Sequence, residues 1–170
     1  MKNPTLFKIY FLAFLICSSL CSYAQIADGI YYIYPEKSYN QRLDNIENRA
    51  QNGNGVHLWE SNGTNAQKWK VRNTNSGIQI CSMNNENMVL DNSDGRCVNG
   101  NRIQIWDNFR NKNQIWIPEK VGTNLYVLHC YRNYNFVLDW GGKVKNGGTV
   151  HLWQYYPGLT NQIWRFVRVK

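Results

Sequence analysis

The sequence has few of the residues from which catalytic and metal-binding centres are built. Its five cysteines include no Cys-x-x-Cys pair, and no Cys/His cluster has metal-ligand spacing. The three histidines, His57, His129 and His151, are too dispersed to indicate a metal site. No Ser/His/Asp order or nucleophile elbow is present either. These absences argue against a metalloenzyme and a serine hydrolase, and we expect no cofactor.

The sequence also lacks an apolar run long enough to cross a membrane as a helix. Its apolar stretch Ile9–Leu20 follows Lys2 and Lys8 and has the length of a signal-peptide hydrophobic region. The letters "SYA", which end at Ala24, then give the small-x-small pattern that signal peptidase cleaves. We therefore predict a signal peptide at residues 1–24 and a secreted protein without membrane insertion. An uncleaved membrane anchor is the alternative.

Charge of one sign is not concentrated anywhere in the remaining chain. Residues 25–170 are 146 residues with 17 Lys and Arg against 11 Asp and Glu, a net charge of +6. This length suits one domain with an adequate core. The basic residues form no run of the kind that binds nucleic acid or heparin, and no RNA-binding signature accompanies them. We expect no nucleic-acid partner, while weak affinity for acidic glycans stays open.

Cysteine becomes scarcer still once the signal peptide is removed. Cys17 and Cys21 leave with it, and neither follows a small residue, so a lipid anchor is not predicted. Cys81, Cys97 and Cys130 remain. An odd number cannot form a closed disulfide framework, although an oxidising compartment allows one bridge. Its pairing is left open.

One short phrase is written three times in the sequence. "NQIW" stands at 113–116 and 161–164, and a near copy, "AQKW", stands at 66–69. Segments ending in Trp, "VHLW", "IQIW" and "VHLW", recur every 47 residues at 56–59, 103–106 and 150–153. Because many positions keep one period, we predict three copies of one unit. Their approximate bounds are 29–72, 77–120 and 124–170.

Each copy has the pattern of short β-strands rather than helices. The apolar runs are brief, alternate with polar residues and are rich in Ile, Val, Tyr and Trp, as in "KWKV" and "IWRFVRV". Stretches rich in Asn and Gly, such as 92–101, separate them and suit turns. About four strands per copy, or about twelve in all, suit a closed three-fold array. The sequence therefore predicts an all-β fold.

The arrangement of these motifs resembles the ricin B-type lectin domain. Three Gln-x-Trp motifs recur at this spacing, each preceded by an Asp and by a segment of Gln or His, Leu or Ile, and Trp. The resemblance covers nearly all of residues 25–170. It implies a β-trefoil, in which six strands form a barrel and six form the hairpins that cap it.

Each copy holds two regularly placed tryptophans in different surroundings. Trp69, Trp116 and Trp164 lie in strand-like segments, and we expect their rings to fill the centre of the barrel, as the resemblance also implies. The preceding glutamines, Gln67, Gln114 and Gln162, are interpreted as groups that tie loop backbone near the site. The other three, Trp59, Trp106 and Trp153, end a strand and are expected to expose one indole face.

An exposed indole face can stack on the CH groups of a sugar ring. An ionised Asp beside it accepts from two neighbouring hydroxyls, and Gln, Asn or His completes the fit. The resemblance assigns Asp91, Gln104, Trp106 and Asn113 to the second site, and Asp139, His151, Trp153 and Asn161 to the third. It assigns Asp44, His57 and Trp59 to the first site, and Asn65 is the candidate next to the position where the pattern has Asn.

The three copies do not match the family pattern equally well. Ala66 stands where the pattern asks for Asn in the first copy, and the adjacent Asn65 is expected to point differently. In the third copy the loop is one residue shorter and Trp140 directly follows Asp139. We therefore rank the sites second, third and first.

The leading hypothesis is a non-catalytic lectin for galactose-type sugars, xylan or arabinan, with a separate glycoside hydrolase as a further expected partner. The alternative from another class is a trefoil whose loops bind a protein, as inhibitors of this architecture do. An enzyme is disfavoured, because a glycosidase needs two carboxylates around one cleft and each copy repeats only one Asp.

Overall fold

The computed structural model describes residues 26–170, so the predicted signal peptide lies outside the described residues. These residues form thirteen strands: β1 Gly29–Pro35, β2 Gln41–Asn45, β3 Asn54–Glu60, β4 Trp69–Thr74, β5 Gly77–Ser82, β6 Asn85–Asn92, β7 Asn101–Asp107, β8 Trp116–Gly122, β9 Leu125–Cys130, β10 Asn133–Asp139, β11 Gly148–Thr149, β12 His151–Gln154 and β13 Trp164–Arg168. Five short 3-10 turns accompany them, at Ile46–Asn48, Asn65–Gln67, Ser93–Gly95, Lys112–Gln114 and Thr160–Gln162. The described part of the chain contains no α-helix, as the strand-like periodicity predicts.

Six of the strands close into a barrel. In order around it, β1 pairs with β4, β4 with β5, β5 with β8, β8 with β9, β9 with β13, and β13 returns to β1. Every pairing is antiparallel. Because the ring is closed, no strand of the barrel has an unpaired edge.

The other strands form three hairpins at one end of the barrel. They are β2 with β3, β6 with β7, and β10 with β12. The hairpins contact one another through β3–β7, β7–β12 and β11–β3 pairs. The strand count is thirteen instead of about twelve because Val150 separates the two-residue β11 from β12. A six-stranded barrel capped by three hairpins is the arrangement expected of a β-trefoil.

Three tryptophan rings occupy equivalent positions in the core. The side chains of Trp69, Trp116 and Trp164 are each 0% exposed. Each indole Nε1 donates to the carbonyl oxygen of a buried leucine 26 residues earlier, at 2.9, 3.2 and 2.9 Å for Leu43, Leu90 and Leu138. The expected core role of these tryptophans is confirmed. The hydrogen bond removes the cost of burying the indole N–H.

The glutamines of the Gln-x-Trp motifs fix the loops that follow the outer tryptophans. Gln67, Gln114 and Gln162 are each 0% exposed. Their Nε2 atoms donate to the backbone oxygens of Glu60, Asp107 and Gln154 at 2.8, 2.8 and 2.7 Å. Their Oε1 atoms accept from the backbone N–H groups of Asn62, Phe109 and Tyr156 at 3.0, 3.0 and 2.9 Å. Their interpretation as groups that tie loop backbone is confirmed.

Two of the three cysteines are neighbours in the fold. All three are thiols in the structure, with Cys81 and Cys130 buried. The Cys97 thiol, in the loop between β6 and β7, contacts the Cys130 thiol at the end of β9. Burial, together with the charge and hydrogen bond of Cys130, raises the pKa of Cys97 to about 11. If one disulfide forms, this geometry favours Cys97 with Cys130.

Residues 26–170 contain no helix that is long and apolar enough to span a membrane. Within the same residues, no group of three or more His, Cys, Asp and Glu side chains is placed to hold a metal ion.

The β4–β5 and β8–β9 turns fall between the predicted copies of the unit.

Candidate functional site

Strand register brings the predicted site residues of each hairpin together. The three aspartates lie directly across the ladder from the residues predicted to complete their sites: Asp44 from His57, Asp91 from Gln104, and Asp139 from His151. Side chains two residues apart on a strand share a face. Each outer tryptophan, two residues beyond that His or Gln, therefore lies on the same face as the aspartate.

Side-chain contacts follow this register in all three hairpins. The Asp Oδ1 atom lies 3.2 Å from His57 Nε2 in the first, 3.1 Å from Gln104 Nε2 in the second and 3.3 Å from His151 Nε2 in the third. The aspartates are buried, with 4%, 3% and 1% of Asp44, Asp91 and Asp139 exposed. Each buried carboxylate thus has at least one side-chain donor across the hairpin and an aromatic residue on the same face.

As expected, the side chains of the outer tryptophans are more exposed to solvent than those of the inner ones. Trp59 is 38% exposed and stacks on His57, with ring centroids 5.0 Å apart and planes at 20°. Trp153 is half-buried and lies 5.1 Å from the His151 ring at 35°. Trp106 is also half-buried. Each of the three rings is thus partly accessible to solvent.

The hydrogen bonds to the second aspartate, Asp91, do not offset the effect of burial on its carboxylate. Burial raises the pKa of Asp91, hydrogen bonds from Gln104 and Gln114 act in the opposite direction, and the charge of Asp94 adds to the rise. The net pKa lies above the ordinary value of 3.8. The carboxylate therefore retains acceptor capacity that its neighbours do not fill.

Asn113 of the second site accepts a hydrogen bond from a residue that the sequence pattern did not predict to lie there. Its Oδ1 accepts from Arg132 Nη1 at 3.0 Å. Arg132 lies in the β9–β10 turn, which belongs to the next predicted copy. Its guanidinium packs against Gly95, whose φ is +64°, so a side chain at position 95 clashes with both Arg132 and Asn113. The second site is thus bordered by a guanidinium.

The third aspartate is fully engaged by its own neighbours. Asp139 Oδ1 contacts His151 Nε2 at 3.3 Å and accepts from the Gly141 backbone N–H at 2.6 Å. Oδ2 accepts from Asn161 Nδ2 at 2.6 Å and from Gln162 Nε2 at 3.1 Å. Burial acts to raise the pKa of Asp139, but these four bonds outweigh it and the net pKa is lowered. A carboxylate has about four acceptor positions, so a ligand hydroxyl has to displace one of these donors.

Trp140 accounts for the different loop of the third hairpin. The equivalent Asn45 and Asn92 are buried and accept from Asn54 and Asn101 at 2.6 Å. Trp140 is 3% exposed, and its Nε1 has no hydrogen-bond partner among residues 26–170. An indole cannot reproduce the asparagine bonds, because it donates once and accepts nothing. The chain turns through Gly141 and Gly142 instead, both with positive φ.

The first site has the open cavity. A depression of about 390 Å³ is lined by Asp44, Ile46, Glu47, Asn48, His57, Trp59, Asn62, Thr64 and Ala66. The methyl group of Ala66 occupies less volume than the asparagine of the other copies. Asn65 is absent from the lining, and its Oδ1 instead accepts from Lys68 Nζ at 3.3 Å. Asn62 and Thr64 border the cavity, and sequence reasoning did not identify them.

The sequence matches the profile of one protein family, described as ricin-type beta-trefoil lectin domain-like, over residues 23–106 and 65–153. These overlapping matches together span 23–153. A comparison with curated proteins gives no match.

Solved structures share this fold. The designed three-fold symmetric protein ThreeFoil is 22% identical with a TM-score of 0.76, over 84% of this chain and 100% of that chain. A ricin B-like lectin from Macrolepiota procera, solved in complex with lactose, is 19% identical with a TM-score of 0.69, over 85% and 99%. An exo-beta-1,3-galactanase from Clostridium thermocellum is 22% identical with a TM-score of 0.76 over 85% of this chain, which spans only 31% of the galactanase. These likenesses confirm the β-trefoil prediction.

Proposed function

Because the chain belongs to the ricin-type beta-trefoil lectin domain-like family, we propose that it is a secreted, non-catalytic carbohydrate-binding protein. The observation that supports this most strongly is the threefold recurrence of a buried carboxylate beside a partly exposed tryptophan. The carboxylate accepts from sugar hydroxyls and the indole stacks on the apolar face of the ring. Glycans are the proposed partners, together with a separate glycoside hydrolase.

The three sites are proposed to differ in strength. Asp44 has one hydrogen-bond donor among the described side chains, His57, and faces an open cavity. Asp139 has four donors, so a sugar must compete with Asn161 or Gln162 for it. We therefore infer that the first site binds more strongly than the third, the reverse of their order by sequence pattern, while the second keeps its complete set of residues. The ranking stays a prediction.

Galactose-type sugars are the first ligands to test, since the Macrolepiota procera lectin was solved in complex with lactose. Shallow single sites predict dissociation constants on the order of 1 mM. Several sites on one rigid body then raise avidity for polymeric glycans, including xylan and arabinan.

The experiment is isothermal titration of lactose into the protein and into three single variants, Asp44→Ala, Asp91→Ala and Asp139→Ala. We expect each active site to contribute one unit of stoichiometry, which its own variant removes. Undiminished lactose binding in all three variants contradicts the placement of the sites. Capture of a partner protein that free sugar does not displace would instead favour the protein-binding alternative.

A further inference from the structure

A second kind of concave surface lies beside the second site. We name it the basic cleft, a depression of about 580 Å³ lined by Arg72, Asn73, Thr74, Asn75, Ser76, Gln79, Asn108, Arg110, Asn111, Lys112, Ile115 and Tyr131. It lies between the β4–β5 turn and the loop that follows β7. None of the residues predicted to bind sugar lines it.

The basic cleft carries unbalanced positive charge. Three of its lining residues are cations, Arg72, Arg110 and Lys112, and the lining contains no Asp or Glu. Glu86 forms ion pairs with Arg72 and with Lys70, so Arg72 is compensated. Among the described residues, no ion pair involves Arg110 or Lys112, and both side chains are exposed. The sequence shows no basic run because the fold assembles these charges from separate segments.

The backbone at Arg110 is in a conformation that favours glycine. Its φ is +54°. Counting four residues back from each motif glutamine gives Gly63, Arg110 and Gly158, and the two glycines have φ of +74° and +81°. A left-handed conformation is unfavourable for a residue with a Cβ atom. The second copy thus holds an arginine in a strained position that the other two copies fill with glycine.

Neutral groups of the basic cleft suit a sugar ring. Gln79 and Asn108 hold each other by reciprocal amide bonds of 2.8 and 3.2 Å, which fixes two polar groups in the wall. Tyr131 is half-buried, and Lys112 Nζ lies 6.0 Å from its ring centroid. The aromatic face of Tyr131 can stack on the ring of an acidic sugar. The ammonium group of Lys112 beside it can neutralise the charge of that sugar.

Two pairs of residues that are consecutive in sequence connect the lining of the cleft with the border of the second site. Lys112 precedes Asn113, and Tyr131 precedes Arg132. Asn113 and Arg132 are hydrogen-bonded at 3.0 Å and border the second site, whereas Lys112 and Tyr131 line the cleft. The two surfaces therefore adjoin at these residues, and we expect a ligand longer than one sugar to reach both.

We propose that the basic cleft binds a carboxylate- or sulfate-bearing unit of a glycan whose adjacent neutral unit occupies the second site. This inference rests on the proposed function, because the second site anchors the chain. Arg110 and Lys112 supply the charge that selects the acidic unit. Arg132 adds a third positively charged group at the border between the two surfaces.

The test compares a variant that restores the residues of the other copies with a charge-matched control. The variant is Arg110→Gly with Lys112→Thr. The residues equivalent to Arg110 are Gly63 and Gly158, and the residue equivalent to Lys112 in the third copy is Thr160. The control, Lys143→Thr with Lys145→Thr, also removes two exposed cations. The ligands are lactose and a chondroitin sulfate octasaccharide, each measured by calorimetry at low and at high salt.

We expect the cleft variant to lose about tenfold in affinity for the octasaccharide, with a weaker salt dependence, and to keep its lactose affinity within about twofold. The control should keep both affinities. The cleft variant should melt at or above the wild-type temperature, since glycine relieves the strain at position 110.

Two results overturn the inference alone: an unchanged octasaccharide affinity in the cleft variant, or an equal loss in the control. Equally strong competition by an oligothymidylate of matched charge also overturns it, because the cleft then binds any polyanion. Absence of binding by the wild-type protein to lactose and to oligosaccharides of xylan and arabinan contradicts the proposed function instead.

Discussion

Two aspartates at equivalent positions are expected to respond in opposite ways to the same substitution. Asp91→Asn and Asp139→Asn both remove a buried charge with little change in shape. Asp139→Asn removes the charge from four hydrogen bonds and replaces one accepting oxygen by a nitrogen that cannot accept, whereas Asp91 has only Gln104 and Gln114 as donors. We therefore predict that Asp139→Asn destabilises the fold and that Asp91→Asn does not.

The magnitudes follow from the number of bonds. Hydrogen bonds to a charged group contribute about 1.5–3 kcal/mol and neutral ones about 0.5–1.5 kcal/mol, so each bond weakens by about 1 kcal/mol. Relief of the burial cost offsets part of this loss, which leaves about 2–3 kcal/mol for Asp139→Asn and less than about 1 kcal/mol for Asp91→Asn. For a domain of this size, the former corresponds to a fall in Tm of roughly 6–10 °C.

The pH dependence gives a second readout of the same difference. The lowered pKa of Asp139 stabilises the fold above the ordinary value of 3.8, and this contribution is lost as pH falls through the folded pKa. The raised pKa of Asp91 has the reverse sign, so its penalty is complete above the folded pKa and is relieved as pH falls toward 3.8. The deficit of Asp139→Asn should therefore shrink in acid.

Thermal unfolding followed by circular dichroism at neutral and acidic pH measures both effects. Equal destabilisation by the two substitutions, or a neutral Asp139→Asn, would refute the reasoning from hydrogen-bond number. A deficit of Asp139→Asn that grows in acid would refute the sign of the pKa shift.

Three further substitutions or treatments test the fold and the sites. Trp116→Ala should lower the free energy of unfolding by about 3–5 kcal/mol in urea titrations, because the ring is fully buried; a loss below 1 kcal/mol would contradict its core role. Trp59→Ala should change stability by less than about 1 kcal/mol, since the ring is 38% exposed, yet remove stacking and weaken lactose binding in calorimetry. Oxidation with glutathione disulfide should join Cys97 to Cys130 and leave Cys81 free in peptide maps, with a gain of about 3–4 kcal/mol from the closed loop; any bridge to Cys81 would contradict the geometry.

The repeats of the sequence predicted three β-rich copies and their core tryptophans, and the resemblance to the ricin B-type lectin domain supplied the β-trefoil. Residues such as Trp69, Trp116 and Trp164 recur because each fills the same symmetric position, and symmetry makes a structural requirement visible as a period. The glutamines of the motif were recognisable for the same reason, since each ties one equivalent loop.

The features that break the symmetry could not be predicted in the same way. Arg132 reaches the second site from the turn of the next copy, and no spacing within one copy connects it with Asn113. One of the four donors around Asp139, the Gly141 backbone N–H, comes from a loop that Trp140 and two glycines reshape. The cavity at the first site is lined by Ala66, although the sequence pattern marks that residue as a defect.

Titration of lactose into residues 25–170 is the direct test of whether this protein binds sugar. We expect saturable binding with a dissociation constant on the order of 1 mM and more than one site per chain. We also expect Asp44→Ala to lower the number of sites without unfolding the protein. A folded protein that binds neither lactose nor oligosaccharides of xylan or arabinan would contradict the proposed function.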